Sequence, residues 1–256
     1  MKSRIRFRYP IGPGMELDGF ITYPETPAEK LPALALAFGG NWTVGSPEQF
    51  FPQAEVFAQA GYAVVTPDYR VFSRHGTSPR ESVSDFCHLW CYLRDNVELL
   101  GLDRDRMALG GGSAGGHIAI MAGIITGIFP KAYILYNPIV RTSGDRFWNR
   151  QLPKGKESFP PPPAGLNYDS FSDIDPMHRL GDRFAPVLLM HGSEDREVPV
   201  EDARRFAEKI RAVGEQVRLK IYDGVGHGFF NAANGAYYFN ETNREVLAFL
   251  KEYLQE

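Results

Sequence analysis

A serine at position 113 lies in the glycine-rich stretch 111–116, Gly-Gly-Ser-Ala-Gly-Gly. An apolar run precedes the stretch and a segment of helical character follows it, so Ser113 is predicted to lie where a strand turns sharply into a helix. Glycines on both sides permit the strained backbone of such a turn and close packing of the helix against the strand. The pattern indicates a nucleophilic serine. A glycine-rich turn without chemistry and a phosphate-binding loop are the alternatives that these residues alone leave open.

A serine hydroxyl requires a general base at neutral pH, and the base requires an acid that orients it. His227 is the best candidate for the base, because it lies between glycines in the loop after the last predicted strand. Asp195 is the best candidate for the acid, because it closely follows the preceding strand; Glu194 and Glu197 are the alternatives beside it. The carboxyl ends of parallel strands form the ligand-binding edge of a sheet. We therefore predict that Ser113, His227 and Asp195 converge there.

Attack on a carbonyl group converts its oxygen into an anion, which requires N–H donors held in place beforehand. The loop 38–42, Phe-Gly-Gly-Asn-Trp, follows an early buried strand and is where such donors are expected. The N–H of Ala114, next to the serine, is the other expected donor. Glycine lets the backbone approach a substrate closely, and Asn41 tolerates left-handed conformations better than most residues.

Apolar runs that alternate with helical segments are predicted to position these loops. Strands are predicted at 3–9, 17–23, 33–38, 62–66, 106–110, 132–136, 186–191 and 217–222. Helices are predicted at 47–60, 79–99, 200–213 and 241–254. The first two strands form an antiparallel pair, and the alternation that follows predicts an α/β fold with a mostly parallel central sheet and helices on both faces.

The segment 141–183 breaks this pattern, because aromatic residues and a run of four prolines are scattered among polar residues without a clear period. A loop of this length inside a compact domain is more often functional or mobile than filler. We expect it to form a small insertion over the active site, as a partial lid. No boundary divides the remaining sequence, so residues 1–256 are expected to form a single domain.

The charge and the hydropathy of the sequence limit the kinds of partner that the chain is expected to bind. A formal net charge of −3 gives no bulk attraction to nucleic acid or to an anionic membrane. No apolar run reaches the roughly 18 residues of a membrane span, and no secretory signal is recognisable, so the chain is expected to be cytoplasmic unless a signal peptide has been removed. Cys87 and Cys91 lie one helical turn apart and are expected to be reduced packing residues rather than a disulfide or part of a zinc site.

Several of these stretches together resemble an α/β-hydrolase of the hormone-sensitive-lipase-like and acetyl-esterase-like group. The resembling parts are the loop 38–42, Asp68-Tyr69-Arg70, the serine turn, the Asp195 loop and Gly226-His227-Gly228-Phe229. Serine, aspartate and histidine also follow one another in the order found in α/β-hydrolases. The resemblance implies that Ser113 is the nucleophile, that His227 is first general base and then general acid, and that Asp195 orients His227.

The resemblance also implies an oxyanion hole formed by the N–H groups of Gly40, Asn41 and Ala114. The usual family motif there is His-Gly-Gly-Gly, whereas here Phe38 stands for the histidine and Asn41 for the third glycine. Backbone donors do not depend on side chains, so the hole is expected to persist with a different support. Many relatives carry an N-terminal cap of helices; no such cap is expected here, because the chain starts with strand-like sequence.

The resemblance implies a serine carboxylesterase that hydrolyses short-chain, acetyl-type esters, including those of sugars, through an acyl-enzyme. The expected partner is a small-molecule ester, with no metal and no cofactor; the oligomeric state stays open. Two alternatives remain. One is a serine peptidase of the prolyl-oligopeptidase type, which shares the fold and the order of the triad. The other is a non-catalytic binding protein on a hydrolase fold, which would typically lack a triad residue.

Five further residues are candidates for shaping a substrate pocket: Trp42, His75, Asn137, Trp148 and Phe229. Packing is the alternative for each aromatic residue among them. His117, one turn after the serine, is expected to lie beneath the site. His191 is expected to be a packing or surface residue.

Overall fold

The computed structural model describes residues 4–26, 28–143 and 168–255. An eight-stranded sheet organises the fold, with the strand order β1-β2-β4-β3-β5-β6-β7-β8. The strands are β1 (Arg4–Gly12), β2 (Met15–Thr22), β3 (Leu31–Ala37), β4 (Ala63–Pro67), β5 (Leu102–Gly112), β6 (Ala132–Tyr136), β7 (Val187–Gly192) and β8 (Val217–Tyr222). The pairs β1–β2 and β2–β4 are antiparallel, and the pairs from β4 to β8 are parallel.

Helices cover both faces of the sheet. They are α1 (Phe51–Gln59), α2 (Phe72–His75), α3 (Pro79–Asp95), α4 (Val97–Leu100), α5 (Ala114–Thr126), α6 (Pro176–Arg179), α7 (Val200–Ala212) and α8 (Ala236–Leu254), with short 3₁₀ turns at Pro47–Phe50, Tyr168–Ile174 and Ala232–Asn234. Helix α3 packs against α5, and α1 packs against α8. Every residue of β3, β4, β6 and β7 is buried, as expected for parallel strands covered on both faces. This is the α/β-hydrolase fold, and the predicted fold class is confirmed.

Two helix boundaries differ from the prediction for local reasons. The helix predicted at 79–99 ends at Asp95, because Asn96 leaves the helical conformation and its side-chain Nδ2 donates to the carbonyl of Tyr92 at 2.8 Å. The last helix begins at Ala236, five residues before the predicted start, directly after Gly235, which has a φ of 118°. The start of α3 follows the sequence closely, since Ser78 forms a capping box with Glu81.

The described ends of the segment 141–183 meet at one buried carboxylate. Asp175 accepts hydrogen bonds from the backbone N–H groups of Thr142 and Ser143, at 3.0 and 2.8 Å, and from the Ser143 hydroxyl at 2.5 Å. Its second oxygen accepts the N–H of His178 at 3.2 Å and so caps α6. The two ends of the insertion are therefore joined to each other. Most of the lid predicted there lies outside the described residues.

Among the helices that the structure describes, none is both long and apolar enough to cross a bilayer.

Candidate active site

Ser113 connects the end of β5 to the first residue of α5. Its φ of 54° and ψ of −119° are strained for a residue with a side chain. The strain is held by the neighbouring strand: the N–H of Ser113 donates to the carbonyl of Tyr136 at 2.9 Å, and its own carbonyl accepts from Ile139 at 3.1 Å. Gly115 has to be a glycine, because a Cβ there would lie 2.0 Å from the carbonyl oxygen of Ala37. The turn therefore presents the serine at the carboxyl edge of the sheet.

A buried carboxylate orients the histidine. Asp195 Oδ2 lies 2.7 Å from Nδ1 of His227 and 3.2 Å from Nε2 of His191. Asp195 Oδ1 accepts the backbone N–H groups of Glu197 and Val198 at 2.9 and 2.8 Å. Burial favours the neutral acid, but the hydrogen bonds from His191 and His227 outweigh it and hold the pKa of Asp195 well below its usual range. Asp195 is therefore an anion at neutral pH, and it faces Nδ1 of His227.

The acidic residues beside Asp195 occupy different positions relative to His227. Glu194 is exposed. Glu197 lies on the wall of the cavity, with Oε2 3.8 Å from Nε2 of His227, the nitrogen opposite to the one that an orienting acid contacts. His191 is buried, and its Nε2 lies 3.0 Å from the carbonyl oxygen of Val198 as well as 3.2 Å from Asp195 Oδ2. Its place at the carboxyl end of β7, four residues before Asp195, is the signal that could have revealed this contact.

The second ring nitrogen of His227 faces an amide. Nε2 of His227 lies 3.3 Å from Nδ2 of Asn137, which is buried at the end of β6. Among the residues that the structure describes, Ser113 Oγ forms no hydrogen bond, and it shares one cavity with His227. The structure thus brings Ser113, His227 and Asp195 to the same edge of the sheet, with His227 in contact with Asn137.

The loop after β3 contains backbone N–H groups without an acceptor among the described residues. Gly40, Asn41 and Trp42 have φ values of 124°, 54° and 57°, and two following N–H groups donate to the Gly40 carbonyl at 2.9 and 3.0 Å. The N–H groups of Gly40 and Asn41 donate to none of the described residues. Ala114 is the first residue of α5, so its N–H has no intrahelical acceptor. These three groups are the ones predicted as oxyanion-hole donors.

The family motif has a histidine at the start of the loop after β3, where this chain has Phe38. The loop is therefore supported by other contacts. The ring of Phe38 stacks on Tyr69, with 3.9 Å between the ring centroids, and the Tyr69 hydroxyl donates to the carbonyl of Phe38 at 2.6 Å. One residue further, the N–H of Gly39 donates to Oε1 of Gln49 at 2.6 Å. A stacked ring, a phenol and an amide therefore fix the start of the donor loop.

A cavity of about 340 Å³ connects these groups, which is a size typical of small-molecule sites. Its described lining consists of Gly39, Gly40, Asn41, Thr43, Val44, Gln49, Gly112, Ser113, Asn137, Ile139, Glu197, Val198, His227, Gly228, Phe230 and Asn231. Of the five predicted pocket residues, Asn137 lines this cavity. Trp148 lies outside the described residues.

The other three predicted pocket residues lie elsewhere. Trp42 turns into the core and packs edge-on against His117, with 5.0 Å between the ring centroids. Phe229 is buried against aromatic residues of β8 and α8. His75 is exposed in α2, and its ring contacts the backbone of Val71. Burial of large rings in the core is favourable, which accounts for the inward positions of Trp42 and Phe229.

His117 lies beneath the site, as expected. Its Nε2 bonds to the carbonyl of Ile174 at 2.7 Å, and burial lowers the pKa of His117 to about 4, so the ring is neutral.

Cys87 and Cys91 are free thiols, and burial raises the pKa of Cys87 to about 12. Within the described part of the chain, no group of three or more metal-ligating side chains is assembled.

Esterase LipC of Mycobacterium tuberculosis is 28% identical to this chain, in a match that covers 89% of the chain and 62% of LipC. The chain thus spans less than two thirds of the length of that relative. Among solved structures, the apo form of Thermogutta terrifontis esterase 2 has a TM-score of 0.81 and 29% identity, and the match covers 97% of this chain and 94% of that chain. The butyrate-bound form of that esterase has a TM-score of 0.79 and 27% identity, with the same coverage.

Sequence comparison also assigns a family. The model of the prolyl oligopeptidase family matches residues 48–256, which include the serine turn and the loops that carry Asp195 and His227. Because this match covers most of the sequence, the chain belongs to the prolyl oligopeptidase family.

Proposed function

We propose that this chain is a serine carboxylesterase that hydrolyses short-chain, acetyl-type esters. The observation that supports this most directly is the meeting of Ser113, the His227–Asp195 pair and the N–H groups of Gly40 and Asn41 around one cavity of about 340 Å³. Relatives that carry the name esterase support the reaction type. The resemblance to the hormone-sensitive-lipase-like and acetyl-esterase-like group belongs to the same proposal, as does the hydrolysis of sugar acetates.

The residues divide the reaction between them. Ser113 Oγ attacks the ester carbonyl carbon while Nε2 of His227 accepts the hydroxyl proton, and the ionised Asp195 stabilises the resulting imidazolium. The backbone N–H groups of Gly40, Asn41 and Ala114 bind the oxyanion. His227 then returns its proton to the departing alkoxide, which leaves an acyl-enzyme. Water, deprotonated by the same nitrogen, releases the acid and regenerates Ser113.

The apolar part of the cavity is suited to bind the short acyl group of the substrate. Val44, Ile139, Val198 and Phe230 belong to that part. Phe230 is itself buried, and its ring centroid lies 4.5 Å from that of Tyr136. The esterase of Thermogutta terrifontis has been solved with bound butyrate, so an acyl group of that size fits a site on this fold. We infer that acetyl to butyryl groups fit here and that longer acyl chains are poorer substrates.

A panel of p-nitrophenyl esters tests the proposal, with the Ser113→Ala variant as control. We expect kcat/KM to be highest between acetate and butyrate and to fall steeply at longer chains, and the variant to lose the activity. Labelling by a fluorophosphonate probe should likewise require Ser113. Faster turnover of long-chain esters than of p-nitrophenyl acetate would contradict the short-chain specificity, and activity that persists in the variant would contradict the nucleophile.

A serine peptidase is the second candidate function, since the family model that matches the chain is that of prolyl oligopeptidases. An ester and an amide of the same acyl group distinguish the two functions. A peptidase hydrolyses the peptide amide at a measurable rate in addition to the ester, whereas the proposed esterase hydrolyses only the ester at a measurable rate.

A further inference from the structure

Asn137 occupies a fixed and strained position at the end of β6. The residue is fully buried, and its φ of 34° lies in the left-handed region, which few residues other than glycine, asparagine and aspartate tolerate. Its backbone N–H donates to the carbonyl of Met190 on β7 at 2.7 Å. The side chain is therefore held at the point where the strand ends open into the cavity.

The orientation of the Asn137 amide follows from its partner on the histidine loop. Oδ1 accepts the backbone N–H of Gly228 at 3.1 Å, and only the carbonyl oxygen of the amide can do so. The amide nitrogen Nδ2 therefore points to Nε2 of His227, at 3.3 Å. The side chain thus contacts both His227 and the residue that follows it.

The protonation of the imidazole is consistent with this contact. Nδ1 of His227 lies 2.7 Å from the ionised Asp195 and carries the proton of the neutral ring. Nε2 then has a single lone pair, which can accept one hydrogen bond. In the resting site this bond comes from Asn137 and not from Ser113.

We propose that Asn137 is a positioning residue, which holds His227 by its reacting nitrogen until a substrate is bound. The hydrogen bond from Asn137 is then exchanged for one from Ser113. The exchange is required, because once Nε2 has accepted the serine proton it is itself a donor and cannot accept from a second N–H. The Gly228 bond keeps the histidine loop seated throughout, so only the ring has to move.

The inference rests on the proposed function, and the substitutions that test it are Asn137→Asp and Asn137→Ala. Aspartate has nearly the same shape, tolerates the backbone conformation and still accepts the N–H of Gly228. The substitution replaces the amide N–H donor that faces Nε2 of His227 with a carboxylate oxygen, which is an acceptor. Glu197 Oε2 already lies 3.8 Å from that nitrogen. The new carboxylate would favour a proton on Nε2 and remove the lone pair that Ser113 needs. Alanine removes both contacts without adding this effect.

We expect kcat to fall about 100-fold in Asn137→Asp and about 10-fold in Asn137→Ala, with KM for p-nitrophenyl acetate within about twofold of the wild type. A merely structural role predicts the reverse ranking, because aspartate preserves the volume and the Gly228 bond. An Asn137→Asp variant that is as active as Asn137→Ala would overturn the inference. A raised KM with unchanged kcat would do the same, since it would mark a direct contact with substrate.

Asn96→Asp is the matched control. Asn96 also donates through Nδ2, to a backbone carbonyl at the end of α3, and we expect its substitution to leave kcat unchanged. If either Asn137 variant does not fold, the ¹⁵N spectrum of the wild-type histidines decides: the proposal requires His227 as the Nδ1–H tautomer with Nε2 accepting a hydrogen bond, and a proton on Nε2 contradicts it. An inactive wild-type protein would instead count against the proposed esterase function.

Discussion

Four N–H groups surround the carboxylate of Asp195. Two come from the backbone and two from the rings of His191 and His227. A carboxylate held in this way has a fixed charge and a fixed direction, so the ring of His227 is aligned before the substrate arrives. At the residue scale, the candidate site depends on this arrangement as much as on the serine.

Substitution of Asp195 by asparagine should therefore abolish most of the activity. We expect kcat to fall by about 10³- to 10⁴-fold, because the amide cannot stabilise the imidazolium and favours the wrong tautomer of His227. Steady-state kinetics on p-nitrophenyl acetate measure this. Glu194→Gln, which removes a charge from the exposed neighbouring residue, is the control and should leave kcat within about twofold. Equal losses in both variants would argue against Asp195 as the orienting acid.

The same carboxylate predicts a pH dependence of stability. Because the folded-state pKa of Asp195 lies below its unfolded value, the ionised group stabilises the fold above the unfolded pKa of about 3.9, and this contribution is lost as pH falls towards the folded value. The free energy of unfolding should thus decline below about pH 4 more steeply in the wild type than in Asp195→Asn. Urea denaturation between pH 7 and pH 3 measures the two slopes, and parallel slopes would contradict the prediction.

At the scale of elements, the donor loop after β3 depends on Tyr69, the residue that bonds to the Phe38 carbonyl. We expect Tyr69→Phe to lower kcat about 10-fold with little change in KM, because the ring still stacks but the loop loses its hydrogen bond. Tyr62→Phe is the matched control, since the Tyr62 hydroxyl is buried without a hydrogen-bond partner among the described residues. Comparable kcat values for the two variants would show that the phenol does not fix the loop.

The sequence predicts the buried parallel strands well, because each is a mostly apolar run followed closely by glycine, proline or a polar residue. β6 and β7 are recognisable in this way, and their carboxyl ends correctly place Asn137 and Asp195 at the edge of the sheet. The strained turn at Ser113 is equally local, since it requires small residues at fixed positions. The fold class and the convergence of the three candidate catalytic residues could therefore be predicted without coordinates.

Contacts between distant elements could not be predicted in the same way. The bond from Asn137 to His227 joins residues 90 positions apart, and the bond from Tyr69 to Phe38 joins residues 31 positions apart. Neither leaves a periodic pattern in the sequence, because each depends on how neighbouring loops pack. The inward position of Trp42 is equally hidden from the sequence, because it follows from a left-handed backbone conformation in the loop.

At the scale of the whole molecule, Asp175 joins the segment after β6 to the one that leads to β7. We expect Asp175→Ala to reduce the free energy of unfolding by about 2–3 kcal/mol, since the buried N–H groups of Thr142 and Ser143 would lose their acceptor. Asp173→Ala is the control, because its ion pair with Arg80 is partly exposed and should contribute less than about 1 kcal/mol. Urea denaturation of both variants at pH 7 measures the difference.

The junction at Asp175 has a consequence for how this protein could diversify. Thr142 and Ser143, which follow β6, are joined to Asp175, which precedes β7, so both borders of the insertion are anchored to the fold at one point. Exchange of the sequence between these borders among relatives would leave the register of β6 and β7 untouched. Selection could then act on that sequence while the strand ends that carry Ser113, Asn137 and Asp195 are inherited unchanged.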